Sequence, residues 1–231
     1  LTMIAGVAAR LADVRRRIAA AAVAAGRDPA VVTLVAVGKT FPAAEVQAAV
    51  EAGVTDLGEN RVQEAAAKRP HVSGGRWHLI GPLQRNKART ALEVFDAVHT
   101  LDRPELAERL ELLLAESWPQ RRLPVLLEVN LGDESQKSGV SPSAAAALLR
   151  RVLACSHLEA RGLMAIPPWC EEPEASRPYF RALRELRDRL EAEVGVPLPE
   201  LSMGMSHDFE LAIAEGATMV RVGTALFGAR Q

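Results

Sequence analysis

The sequence predicts an α/β protein, a single (β/α)8 TIM barrel over residues 1–231. Three observations carry that reading. Eight short apolar runs alternate with helical patterns along the chain. The first run, residues 31–37, is rich in β-branched side chains, as in a strand buried on both faces of a parallel sheet. The length of 231 residues falls inside the ~200–250 that one barrel needs, leaving almost nothing for a second domain. A doubly wound open sheet is the competing architecture, and no GxGxxG follows the first run to favour it.

An extra helix opens the chain, with Leu11, Val14 and Ile18 at i, i+3 and i+7. After strand one, Pro42 starts a helix to about Glu51, and Gly53 ends it. Asp56-Leu57 begins strand two. Residues 77–80 read as strand three, followed by a helix from about Gln84, and residues 97–99 read as strand four. Asp102 is placed to cap the next helix, with Glu105 three residues on and Leu106, Leu110 and Leu113 on one face. Strands five and six are read at 124–130 and 158–164, with a helix starting at Ser141-Pro142 between them. The long helix after strand six turns Leu183, Leu186, Leu190 and Val194 inward, and its charge run at 181–193 reads as a solvated face. Strands seven and eight follow at 201–203 and 219–222, separated by a helix from Ser206.

Composition removes several functional classes. The chain carries 28 basic and 29 acidic residues, a net charge of −1, so nothing electrostatic points to nucleic acid or an anionic membrane. No apolar run reaches the length of a membrane span. Arg15-Arg16-Arg17 and the uncharged stretch 18–26 imitate an export signal, but the stretch is mostly alanine and the spacing suits an amphipathic helix. Two cysteines, Cys155 and Cys170, make neither a disulfide framework nor a zinc motif, so a reducing cytoplasm is expected. His71, His99, His157 and His207 lack metal-ligand spacing, and HExxH and GxSxG are absent; no metal is expected.

In a barrel, function gathers where strands end and βα loops begin. Lys39 leaves the end of strand one. It reads either as a lysine snorkelling from the barrel mouth or as an amine nucleophile that forms a Schiff base. Gly38-Lys39-Thr40 copies the tail of a Walker A loop, but the glycine required five positions before Gly38 is Thr33. Gly223 and Thr224 after strand eight, with Ser206 after strand seven, fall on the two loops where barrels bind phosphate. Taken singly they read as a turn and a helix cap. Arg221 shares a strand face with Gly223 and needs a partner if buried, either a carboxylate such as Glu128 or a ligand nitrogen. His78 reads as a hydrogen-bonded core histidine or a ligand contact, while Met203 and Met205 read as packing residues.

These residues lie in segments with a family likeness. The segments are 34–40 (LVAVGKT), 58–64 (GENRVQE), 77–87 (WHLIGPLQRNK), 135–139 (SQKSG), 162–164 (GLM), 201–206 (LSMGMS) and 220–228 (VRVGTALFG). The chain resembles the pyridoxal phosphate homeostasis proteins. The resemblance implies a barrel like the cofactor domain of alanine racemase. It implies pyridoxal 5'-phosphate (PLP) held as a Schiff base on Lys39, Arg221 at the pyridine nitrogen, and Ser206, Gly223 and Thr224 at the phosphate. Asn60 and His78 would line the pocket. Gly38 stands where the family commonly has serine, implying a looser backbone, and Leu57 where it has an aromatic residue, implying altered pocket packing.

The function so implied is vitamin B6 homeostasis: holding PLP and supplying or buffering it for apoenzymes, with no clear catalysed reaction and no catalytic residue assigned. A monomer is expected. The alternative is a PLP-dependent amino-acid racemase of the same fold. Arginine cannot accept a proton, so the ring facing it is a weak electron sink. A racemase also needs a second acid/base, and the single tyrosine, Tyr179, is read on an outer helix. Loops 132–139 and 167–178 read as mobile lids, with Lys137 as either a second aldehyde acceptor or a solvated lysine.

Overall fold

The computed structural model describes residues 2–132 and 138–228, with side chains from Gly6 onward. Lys137 and the 135–137 part of its motif lie outside the described residues. Eight parallel strands close into a barrel in sequence order: β1 (Thr33–Val37), β2 (Asp56–Glu59), β3 (Arg76–Leu79), β4 (Ala97–Leu101), β5 (Leu123–Glu128), β6 (Leu158–Met164), β7 (Glu200–Met205) and β8 (Met219–Val222). The outer layer comprises α1 (Thr2–Ala24), α2 (Ala43–Glu51), α3 (Val62–Lys68), α4 (Ala88–Val94), α5 (Pro104–Ser117), α6 (Ala145–Leu153), α7 (Arg177–Val194), α8 (Phe209–Ala214) and α9 (Thr224–Phe227). Among the described residues no helix is long and apolar enough to cross a membrane.

The apolar stripes lie where the spacing puts them. Leu106, Leu110 and Leu113 are fully buried, as are Leu11, Val14 and Ile18 to within a few per cent. Burial of the α5 stripe against its neighbours in the barrel, and of the α1 stripe against α2, α8 and α9, holds the outer layer in place. The extra helix α1 docks beside α8 and α9: Arg10 Nε donates to Leu226 O at 2.6 Å, and Arg17 pairs with Glu210 while stacking on Phe209.

Element boundaries differ from expectation where local hydrogen bonds compete with periodicity. Strand one begins at Thr33 because Pro29–Val31 forms a 3-10 turn, capped by Asp28. A second 3-10 turn, Arg85–Lys87, delays α4 to Ala88. Asp102 does not cap α5; the N-cap is Arg103, and Asp102 instead pairs with Arg103 and accepts from Gly139 N at 3.3 Å. The helix expected at Ser206 starts at Phe209, with Asp208 accepting from Met205 N.

The charge run on α7 is not simply a solvated face. Arg177, Arg181 and Arg184 converge on the buried carboxylate of Glu215 at 3.2, 3.0 and 3.0 Å. The hydrogen bond from Arg181 leads the effects that hold the Glu215 carboxyl below its usual range. We predict that Glu215→Gln destabilises the fold by about 1–3 kcal/mol at neutral pH. A carboxyl lowered by folding stabilises above its unfolded value and loses that contribution as pH falls. Urea melts of both forms should therefore converge below about pH 4.

Candidate cofactor site

Gly38-Lys39-Thr40 turns off the end of β1 at the C-terminal face of the barrel. Thr40 has φ = +70°, a left-handed conformation that costs a β-branched residue energy. It is held there from both sides. Thr40 N donates to Glu64 Oε1 at 2.5 Å, and Lys68 Nζ donates to Gly38 O at 2.7 Å. Lys68 also binds Glu59 at 2.8 Å and Glu64 at 2.7 Å, so one buried cation ties α3 and β2 to the loop. Burial raises the Glu59 carboxyl to about 7 against the pull of Lys68. A Cβ on Gly38 would lie 2.9 Å from Glu59 Oε1, so the missing side chain makes room for this carboxylate. The loosening expected at Gly38 is thus offset by hydrogen bonds to the residues flanking Lys39.

Arg221 on β8 is 3% exposed. Its Nη1 donates to Ser202 Oγ at 2.7 Å and its Nη2 to Ala165 O at 2.9 Å. Neither bond goes to Glu128, the carboxylate weighed from sequence, which acts on Arg221 through its charge. Burial lowers Arg221 to about 10, so it remains a cation at neutral pH.

Ser206 does not cap the helix that follows it. Its Oγ accepts from Gly223 N at 3.2 Å and Ala225 N at 3.3 Å, across the gap between two loops. Two backbone donors thus converge on one oxygen, the arrangement that receives a phosphate oxygen. A Cβ on Gly223 would come within 3.3 Å of Val37 O, so the close approach of backbone here suits glycine.

These groups line one cavity of about 380 Å³, together with Asn60, Ile80, Ile166, Trp169, Met205, His207 and Val37. That volume lies within the usual range for small-ligand sites. An amine (Lys39), a guanidinium (Arg221), a hydroxyl with paired N–H donors, and the buried Asn60 Oδ1, which has no hydrogen-bond partner among the described residues, share it. This donor set fits a small phosphorylated aldehyde with a ring acceptor. The fully buried His78 does not line the cavity; it bonds Asp56 and His99. Leu57 packs in the apolar core and is also absent from the cavity wall, so it does not alter pocket packing directly.

The family model of the alanine racemase N-terminal domain matches residues 10–231. A pyridoxal phosphate homeostasis protein of Pseudomonas aeruginosa is 48% identical, the match covering 97% of this chain and 96% of the relative. The chain belongs to this family. PipY of Synechococcus elongatus, solved with PLP bound, is 39% identical with a TM-score of 0.84, covering 96% of this chain and all of that one. An alanine racemase of Corynebacterium glutamicum shares the fold at 18% identity and a TM-score of 0.70, with 62% of that chain covered.

Several site features escaped sequence reasoning. Trp169 is 76% exposed on an irregular loop, where no periodicity marks it. Its loop lines the cavity through Ile166 and Trp169 and is tied down by His207 Nε2, which meets Glu171 O at 3.0 Å. Met205, read as packing, lines the cavity, whereas Met203 is fully buried. The Lys68 brace had one available signal, the i, i+4 spacing of Glu64 and Lys68 on α3.

Lys68→Met should cost about 3–5 kcal/mol, because two carboxylates lose their cation. Adding Glu59→Gln should recover part of it in chemical denaturation. Glu128 gives a pH test. Burial leads the effects that raise it to about 7, and its Oε2 has no hydrogen-bond partner among the described residues. A carboxyl raised by folding stabilises below its unfolded value and loses that contribution as pH climbs through the folded one. Glu128→Gln should therefore melt progressively higher than the parent from pH 5 to pH 8, by a few kelvin.

Proposed function

We propose that this barrel, acting as a monomer in the cytoplasm, binds PLP covalently on Lys39 and holds or buffers it for delivery to apoenzymes. The observation that carries the reading is the shared cavity of Lys39, Arg221, Ser206, Gly223 and Thr224. The PLP-bound PipY structure and the homeostasis relatives support it. The free cysteines Cys155 and Cys170 suit a reducing compartment.

PLP supplies an aldehyde for capture and a ring that withdraws electrons. Lys39 would provide the amine for that capture. The amides of Gly223 and Ala225, with the Ser206 and Thr224 hydroxyls, would hold the phosphate. Arg221 would face the ring nitrogen as a donor only, keeping it unprotonated. Tyr179 sits on α7 and does not line the cavity, so it offers no second acid opposite Lys39. This chemistry favours holding the aldehyde over reacting it.

Borohydride reduction of the PLP-loaded protein, followed by peptide mass spectrometry, should place the adduct on Lys39. The near-visible band of the bound cofactor should vanish in Lys39→Ala, and Arg221→Ala and Thr224→Ala should each weaken PLP binding about tenfold or more. An adduct elsewhere, or unchanged affinity in both latter variants, would refute the assignment. Sustained exchange of the alanine α-proton with deuterated water, lost in Lys39→Ala, would favour the racemase.

A further inference from the structure

Behind Arg221 the barrel interior is not apolar. Arg221 Nη1 donates to Ser202 Oγ (2.7 Å), which meets His99 Nδ1 (3.0 Å). His99 Nε2 meets His78 Nδ1 (2.9 Å), and His78 Nε2 meets Asp56 Oδ1 (2.8 Å). Ser202 and both imidazoles are fully buried. Asp56, at the start of β2, lines a different cavity with Arg15, Pro29 and Val32. The five side chains therefore join the strand-start end of the barrel to the cofactor cavity.

The donor inventory fixes the direction of every bond. Arginine can only donate, and an ionised aspartate can only accept. If both imidazoles are neutral, His78 must carry its proton on Nε2 to serve Asp56. Its bare Nδ1 then requires Nε2–H on His99, whose bare Nδ1 requires the Ser202 hydroxyl proton. One arrangement satisfies the chain, with each bond donated from Arg221 towards Asp56. A proton added to His78 reverses the two inner bonds and leaves the end bonds at Asp56 and Arg221 as they were. His78 Nδ1 donates to His99 Nε2, the His99 proton moves to Nδ1, and Ser202 then accepts from both His99 and Arg221. Burial and then the charges of His78, Arg221 and Arg76 hold His99 well below its usual range, which favours its neutral form. The other charges bearing on the ends are Arg76 at Asp56, and Glu128 and Asp208 at Arg221.

We propose that Asp56, His78, His99 and Ser202 are positioning residues for Arg221, forming one directed hydrogen-bond chain that carries a protonation change at the Asp56 end to a ring held against Arg221. The proposal rests on the seating of PLP described above, and its test separates the two. The first arm needs no cofactor. In the full chain labelled with ¹⁵N-histidine, both His78 and His99 should be Nε2–H tautomers at high pH. In the state where His78 is doubly protonated, His99 should instead be the Nδ1–H tautomer. A doubly protonated His78 beside an Nε2–H tautomer of His99, or an Nδ1–H tautomer of His99 at high pH, overturns the chain.

The second arm uses the PLP-loaded protein. Asp56→Asn, remote from the cofactor cavity, should move the midpoint of the bound cofactor's pH-dependent absorbance by about 0.5 unit or more, roughly threefold in proton affinity. Asp56→Glu should restore it. Wild-type midpoints in both variants with PLP still bound overturn the transmission, even if the first arm succeeds. Failure of PLP to load on Lys39 would sink the proposed function and leave the first arm standing.

Discussion

Closure of the sheet is the constraint on which the site depends. β8 pairs with β1 in parallel, with Val35 opposite Arg221 and Ala36 opposite Val222. That register brings the turn after β1, with Lys39, beside the turn after β8, with Gly223 and Thr224. The two turns are separated by almost the whole sequence, and no local structure could bring them together. Closure also removes the exposed strand edges that an open parallel sheet must protect. The side-chain alternation of a strand then sends Arg221 inward and leaves Gly223, two residues later, at the rim.

Within that frame the protein buries two cations in different ways. Lys68 is surrounded by Glu59, Glu64 and the Gly38 carbonyl, so its charge is compensated on the spot. Among the described residues Arg221 meets only a hydroxyl and a carbonyl at bonding distance, with carboxylates further off. The contrast has a physical consequence. The lysine is fully engaged and serves as a strut, fixing the strained turn at Thr40. The arginine, held by neutral dipoles, keeps a positive field directed into the cavity it lines.

Much of the barrel was legible because periodicity survives noise over eight repeats. Strand positions six and eight matched their apolar runs, since residues 158–164 and 219–222 lack competing turn chemistry. Boundaries failed where a short side chain or a proline offered a rival hydrogen bond, as at Pro29 and Asp102. Of the candidate site, Lys39, Arg221, Ser206, Gly223, Thr224 and Asn60 are brought to one cavity, because polar residues at strand ends have no other place to point. Of the two readings of His78, the core histidine holds rather than the pocket lining that the resemblance implied, for an equally physical reason. It precedes the strand end, so its ring falls below the rim, where a core partner rather than a ligand meets it. Trp169 could not be read, because an exposed loop residue leaves no pattern.

The buried chain behind Arg221 alters how the cavity should be understood. An interior filled by leucine and valine would be simpler to stabilise than one holding two imidazoles, a hydroxyl and a carboxylate end. Such a polar column is tolerable only because each member is satisfied by the next, and that condition makes it directional. Arginine and aspartate, one unable to accept and the other unable to donate, impose order on the three groups between them. The guanidinium at the cofactor cavity is then not an isolated cation but the terminus of an element with two discrete proton arrangements. Electrostatics at the ring end and protonation at the far end become two readings of one equilibrium, coupled in both directions.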